Sequence, residues 1–152
     1  MELPQLLRCL GLSDYIAFDF ETTGLSPEDD RIIEIAAIKF VNGNLVDRFV
    51  KLINPERPID PFITDITGIS DDMVKNKPIE SDIVDEFLEF LSDLPLVAHN
   101  ISFDKSFLDA LCERFKKPKK NNPLFDTLQL SRTFLFFHPV HDLGSISEYF
   151  RS

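Results

Sequence analysis

Between Tyr15 and Glu21 the side chains alternate in character. In an extended chain Ile16, Phe18 and Phe20 fall on one face and Ala17, Asp19 and Glu21 on the other. A strand of this kind must lay its apolar face on a core, which commits the chain to a sheet covered on at least one side. Arg31 to Val41 follows as a nearly continuous apolar run, the pattern of a strand covered on both faces. Asn42-Gly43 then turns the chain, because both residues tolerate the positive φ that a two-residue hairpin needs, and Leu45 to Ile53 returns as a third strand.

Pro55, Pro58 and Pro61 end the sheet-forming region, and Ile63 to Asn76 reads as short helical turns around Gly68. The apolar spacing predicts a helix over Ser81–Leu91, with Ile83, Val84, Phe87, Leu88, Phe90 and Leu91 turned inward. Leu96–Ala98 is a short buried strand. Ser102 is expected to cap a helix running to about Phe115, with Phe103, Phe107, Leu108 and Leu111 on its apolar side. Leu124–Asp126 follows as a last strand, with a helix through Arg132 and another starting at Asp142 and running to Phe150. Leu3–Leu10 is expected to form a short amphipathic turn. Three strands joined by tight turns, then helices alternating with short strands, predict an α/β domain: a mixed sheet with helices on its faces. No repeat or Gly/Ser-rich linker divides the chain, so residues 1–14 are an N-terminal extension and residues 15–152 one domain.

The 152 residues carry 16 basic and 26 acidic side chains, a net charge of −10, which argues against a protein that grips nucleic acid through a basic face. It leaves room for an enzyme whose carboxylates collect divalent cations. The basic cluster, Arg114-Phe-Lys-Lys-Pro-Lys-Lys120, falls where a helix ends and reads as cations at a helix C-terminus. Fifteen Phe and no Trp imply a core packed with phenyl rings. Cys9 and Cys112 stand far apart in no paired spacing, and the N-terminus lacks a long apolar run, so a reduced, cytoplasmic chain without membrane association is expected.

Two segments carry chemistry. In Phe18-Asp-Phe-Glu-Thr-Thr-Gly-Leu25, two like charges share one strand face just before a Thr-Thr-Gly turn. Carboxylates so placed repel unless a cation lies between them, and oxygen donors of this kind suit Mg²⁺ or Mn²⁺. In Val97-Ala-His-Asn-Ile-Ser-Phe-Asp104, a short strand delivers polar residues into a helix start, with Asp104 in the first turn. Alone, such an acid also suits the helix dipole.

Together these segments resemble the first and second motifs of the DEDD 3′→5′ exonucleases (DEDDh type), a family that includes proofreading subunits of bacterial replicative polymerases such as the epsilon subunit of DNA polymerase III, ribonuclease T-like enzymes and domains fused to helicases. Ile66-Thr-Gly-Ile-Ser70 and Phe125-Asp-Thr-Leu-Gln-Leu-Ser-Arg132 support the resemblance, which runs from about Tyr15 onward. It implies a ribonuclease H-like mixed sheet flanked by helices, with the C-terminal part missing, and a metal-dependent release of 5′-mononucleotides from the 3′ end of single-stranded DNA in proofreading or repair. By similarity, two Mg²⁺ or Mn²⁺ ions would be held by Asp19, Glu21 and Asp104, with Asp19 bridging. Thr22, Thr23, Gly24 and Leu25 would meet the terminal nucleotide, the threonines by hydrogen bonds and Leu25 beneath the base. Asn100 and Phe103 would shape the same pocket. The implied partners are a single-stranded DNA 3′ end, or RNA, and a DNA polymerase or a fused helicase domain.

The third motif of the family, a His base followed five residues later by a fourth acid, has no match. Five residues after His141 stands Ile146, and five after His138 stands Leu143. No general base is therefore assigned, and the chain is expected to be a truncated domain, weakly active or inactive by itself. An exoribonuclease and a non-catalytic nucleic-acid-binding module are the alternative readings.

Overall fold

Strands β1 (Tyr15–Thr22), β2 (Ile32–Val41) and β3 (Asn44–Leu52) form an antiparallel meander in the computed structural model, which describes residues 11–134 together with residues 5, 8, 9 and 142. Strands β4 (Leu96–Ala98) and β5 (Leu124–Asp126) extend the sheet on the other side of β1, each running parallel to its neighbour, in the order β3-β2-β1-β4-β5. Helices α1 (Pro61–Thr67), α2 (Asp71–Val74), α3 (Glu80–Leu91), α4 (Ile101–Arg114) and α5 (Thr127–Phe134) fill the connections. This is the mixed sheet with flanking helices that the sequence predicts. His138, His141 and, apart from Asp142, the helix expected over Asp142–Phe150 lie outside the described residues, as does most of Leu3–Leu10.

Three local expectations are corrected. Only β2 and β3 meet at a tight turn, in which Asn42 and Gly43 both take positive φ. β1 and β2 are instead joined by the long loop 23–31, which sits beside the site. Second, β2 is fully covered on one face only. Ile35 and Ala37 are buried, while Glu34, Ala36 and Ile38 on the other face are half-buried. Third, Asn100 and not Ser102 caps α4. The chain reverses sharply after β4, and Asn100 takes a left-handed conformation (φ 60°), which Asn tolerates better than most residues. Ser102 lies inside the first turn and donates its hydroxyl to Asn100 Oδ1 at 3.2 Å.

The main core lies between one sheet face and helices α3 and α4. Ile16, Phe18 and Phe20 of β1 meet Ile83, Val84, Phe87 and Leu91 of α3, and Phe107, Leu108 and Leu111 of α4. Phenyl rings carry this packing, as the composition suggested. Phe20 meets Phe87 edge-on at 5.7 Å, and Phe87 meets Phe49 of β3 at 5.2 Å. A smaller cluster of Leu12, Tyr15 and Val97 lies apart from it, against Ala17, Phe40 and Phe125. Glu80 is buried and joins three elements: it accepts the Ile32 N–H at 3.2 Å and pairs with Arg114 at 2.9 Å.

Candidate active site

The site is built where β1 outlasts its parallel neighbour. Ile16 N–H donates to the Pro95 carbonyl, so alternate N–H groups of β1 point toward β4. β4 ends at Ala98, which leaves the Phe20 N–H beyond its reach. The Asp104 carboxylate fills this gap: Oδ1 accepts the Phe20 N–H at 2.9 Å, 84 positions away in sequence. Phe20 sits between Asp19 and Glu21, so the bond brings the third acid beside the first two.

The electrostatics show that the three carboxylates feel one another. Asp104 is 2% exposed, and burial raises its pKa from 3.8 to about 7, with Asp19 and Glu21 adding to the rise and the Phe20 N–H opposing it. Burial likewise raises Glu21, which is repelled by Asp19 and by Glu34. Glu34 faces Glu21 directly across the β1–β2 pair, a like-charge contact on one sheet face. The register slips between Glu21 and Thr22, a bulge that turns the strand end at the site. Asp19 is an exposed residue, yet partial burial of its carboxylate raises its pKa by desolvation, while the nearby His99 draws it down. A group of acids held against mutual repulsion is the donor chemistry that a divalent cation relieves. Among the described residues no three His, Cys, Asp or Glu side chains are already gathered closely enough to hold a metal ion.

The loop after β1 forms the rim. Leu25 stands at its tip, 85% exposed. Thr22 is buried and donates its hydroxyl to the Gly24 carbonyl at 2.6 Å. Thr23 donates to Asp30 Oδ1 at 2.9 Å and accepts the Arg31 N–H at 3.0 Å. Both threonine hydroxyls are therefore engaged within the loop. Asn100 is exposed, and its N–H donates to Asp126 Oδ1 at 2.9 Å. Phe103 is half-buried against Phe107, with ring centroids 5.1 Å apart.

Sequence reasoning missed four residues that the fold brings in. His99 holds Thr127 through Nδ1 at 3.0 Å. Asp126 ties the start of α4 to the start of α5 by accepting the Asn100 and Leu128 N–H groups. Glu34 faces Glu21, and Asp30 gathers the rim loop. His99 carried a signal in its place inside the second motif, and Asp126 in its place inside the supporting segment Phe125–Arg132; Glu34 and Asp30 carried none. The basic cluster lies at the far end of α4, where Arg114 pairs with Glu80 and Lys117 with Asp85 at 2.6 Å.

A layered sheet with carboxylates at a strand end, beside the long rim loop, is an arrangement suited to a nuclease. The exonuclease family RNase_T matches residues 16–152, and the chain belongs to that family. It is 43% identical over 142 residues to the PolC-type DNA polymerase III of Streptococcus pneumoniae (strain D39), an alignment covering 93% of this chain and 10% of that protein. To the Bacillus subtilis (strain 168) PolC-type polymerase it is 41% identical over 147 residues, 94% of this chain and again 10% of the other. The chain thus spans about a tenth of the length of these relatives. Among solved structures, exonuclease X in complex with 5′-overhanging duplex DNA superposes with a TM-score of 0.70 at 27% identity, covering 90% of this chain and 73% of that one. The zinc-bound Escherichia coli exonuclease I–single-stranded DNA complex shares the fold, with a TM-score of 0.74 over 84% of this chain and 30% of the other, at 21% identity. Among the described residues no helix is long and apolar enough to cross a membrane.

Proposed function

We propose that this domain is a metal-dependent 3′→5′ exonuclease that removes 5′-mononucleotides from the 3′ end of single-stranded DNA. The observation that carries the reading is the Asp104 carboxylate held by the Phe20 N–H at 2.9 Å, between Asp19 and Glu21 at the same strand end. Asp19, Glu21 and Asp104 would hold Mg²⁺ or Mn²⁺. The ions would supply an activated water and stabilise the leaving 3′ oxygen. Leu25 offers the terminal nucleotide an apolar contact, and Thr22, Thr23 and Gly24 form the wall that carries Leu25. Asn100 and Phe103 close the pocket from the α4 side, where a half-buried phenyl ring suits stacking on a base. No described residue is assigned as the general base. The likeness to PolC-type polymerases supports a proofreading setting, with a DNA polymerase as partner.

The test is digestion of a 5′-labelled single-stranded oligodeoxynucleotide in Mn²⁺ by the full chain and by Asp19→Ala, with Mn²⁺ affinity read by electron paramagnetic resonance. The expected result is slow stepwise shortening from the 3′ end by the unaltered chain, abolished in the variant, which also loses Mn²⁺ affinity; Asp19-dependent Mn²⁺ binding without shortening marks a metal site that lacks its general base. Equal digestion by both proteins, or Mn²⁺ binding indifferent to Asp19, overturns the reading. A parallel oligoribonucleotide decides between DNA and RNA.

A further inference from the structure

We infer that Asp30 is the positioning residue of the nucleotide-receiving rim: its carboxylate holds Thr23, Gly24 and Ser26 so that Leu25 is presented to the 3′-terminal base. The inference rests on the exonuclease reading of the site. Asp30 Oδ1 accepts the Thr23 hydroxyl at 2.9 Å, and Oδ2 accepts the Ser26 N–H at 3.0 Å. The Asp30 N–H returns to the Ser26 carbonyl at 2.7 Å, closing the loop on itself. Gly24 lies directly over the carboxylate, because a Cβ there would stand 2.3 Å from Asp30 Oδ2. The acid is thus bounded by residues 23, 24 and 26, and the residue left between them is Leu25, 85% exposed.

An exposed leucine at a loop tip has no packing of its own to fix it, so its place depends on the backbone on either side. That backbone is fastened by Asp30, and the segment that carries Asp30 is itself tied down by Arg31, whose guanidinium donates to the carbonyls of Glu28, Asp29 and Asp30 at 3.3, 3.1 and 3.0 Å. Arg57 reaches over to the Asp29 carbonyl as well. Holding a contact group in place before the ligand arrives spares the ordering cost at binding. The chemistry asks for a carboxylate, since both loop groups that face it are donors. An asparagine serves both once its amide N–H faces the Thr23 hydroxyl, and is the conservative replacement.

The experiment titrates thymidine 5′-monophosphate into the full chain in saturating Mn²⁺ by calorimetry, for the unaltered protein, Asp30→Ala, Asp30→Asn, Leu25→Ala and the Asp30→Ala/Leu25→Ala double variant. Asp30→Ala should weaken binding ~10-fold, with Mn²⁺ affinity unchanged and the double variant no weaker than Leu25→Ala alone, because Asp30 acts through Leu25. Asp30→Asn should recover to within about 3-fold. Amide order parameters at Gly24 and Leu25, measured without ligand, should fall from about 0.85 to below about 0.6 in Asp30→Ala. Additive losses in the double variant, or unchanged order at Leu25, overturn the role of Asp30. If the unaltered chain shows no Mn²⁺-dependent nucleotide binding, the exonuclease reading falls, and the order parameters alone still decide whether Asp30 positions Leu25.

Discussion

Asparagine at position 104 separates two properties of Asp104, its hydrogen bond to β1 and its charge. The Asn side-chain oxygen can accept the Phe20 N–H as Asp104 Oδ1 does at 2.9 Å. It carries no charge to be desolvated. Burial, reinforced by Asp19 and Glu21, raises the Asp104 pKa from 3.8 to about 7, so the folded state binds this proton more tightly than the unfolded state. The stabilising contribution is therefore complete below about pH 4 and is lost as the pH rises to about 7. At about 1.4 kcal/mol for each pKa unit, the loss reaches about 4 kcal/mol at pH 8. A neutral acceptor returns about 1 kcal/mol of this, because hydrogen bonds to charged groups are stronger. Asp104→Asn should thus be about 3 kcal/mol more stable than the parent at pH 8 in EDTA, and close to it at pH 4. Urea unfolding at the two pH values measures the difference. In Mn²⁺ the order should shift back toward the parent, because a ligand bound only by the native state stabilises the chain that has the ligating carboxylate. An Asp104→Asn variant less stable than the parent at pH 8 in EDTA would refute the burial argument.

Two further substitutions test the frame around the site. Gly24→Ala places a methyl group 2.3 Å from Asp30 Oδ2, which the carboxylate can relieve only by giving up its loop bonds. It should cost about 1–3 kcal/mol, and less in an Asp30→Ala background, as read by thermal unfolding of the four proteins of the cycle. Phe87 is fully buried between Phe20 and Phe49, so Phe87→Ala should cost about 3–5 kcal/mol in urea unfolding. Because Phe20 also donates its N–H to Asp104, the same variant should weaken Mn²⁺ binding while leaving Leu25 presented at the loop tip.

Much of the domain was legible in the residue order because the relevant information is local. A period of two places Asp19 and Glu21 on one face of β1 whatever surrounds it, and the helical spacing of Ile83, Val84, Phe87 and Leu91 identifies the inner side of α3. Asn42-Gly43 marks its hairpin for the same reason, a backbone preference carried by two residues. The two motifs also named Asp104, although nothing local tells that acid from one serving a helix dipole. Tertiary structure decided the rest. Strand lengths in the sheet leave the Phe20 N–H unpaired, and only that vacancy makes Asp104 a partner of β1. Cross-strand register, set by chain reversal, brings Glu34 opposite Glu21. In the run Glu28-Asp29-Asp30 the three acids look equivalent in sequence, and loop closure selects Asp30 as the one beneath Gly24. The division follows from range: periodicity and turn preference act over a few residues, whereas a buried charge acquires its pKa and its partners only from groups that folding brings alongside it.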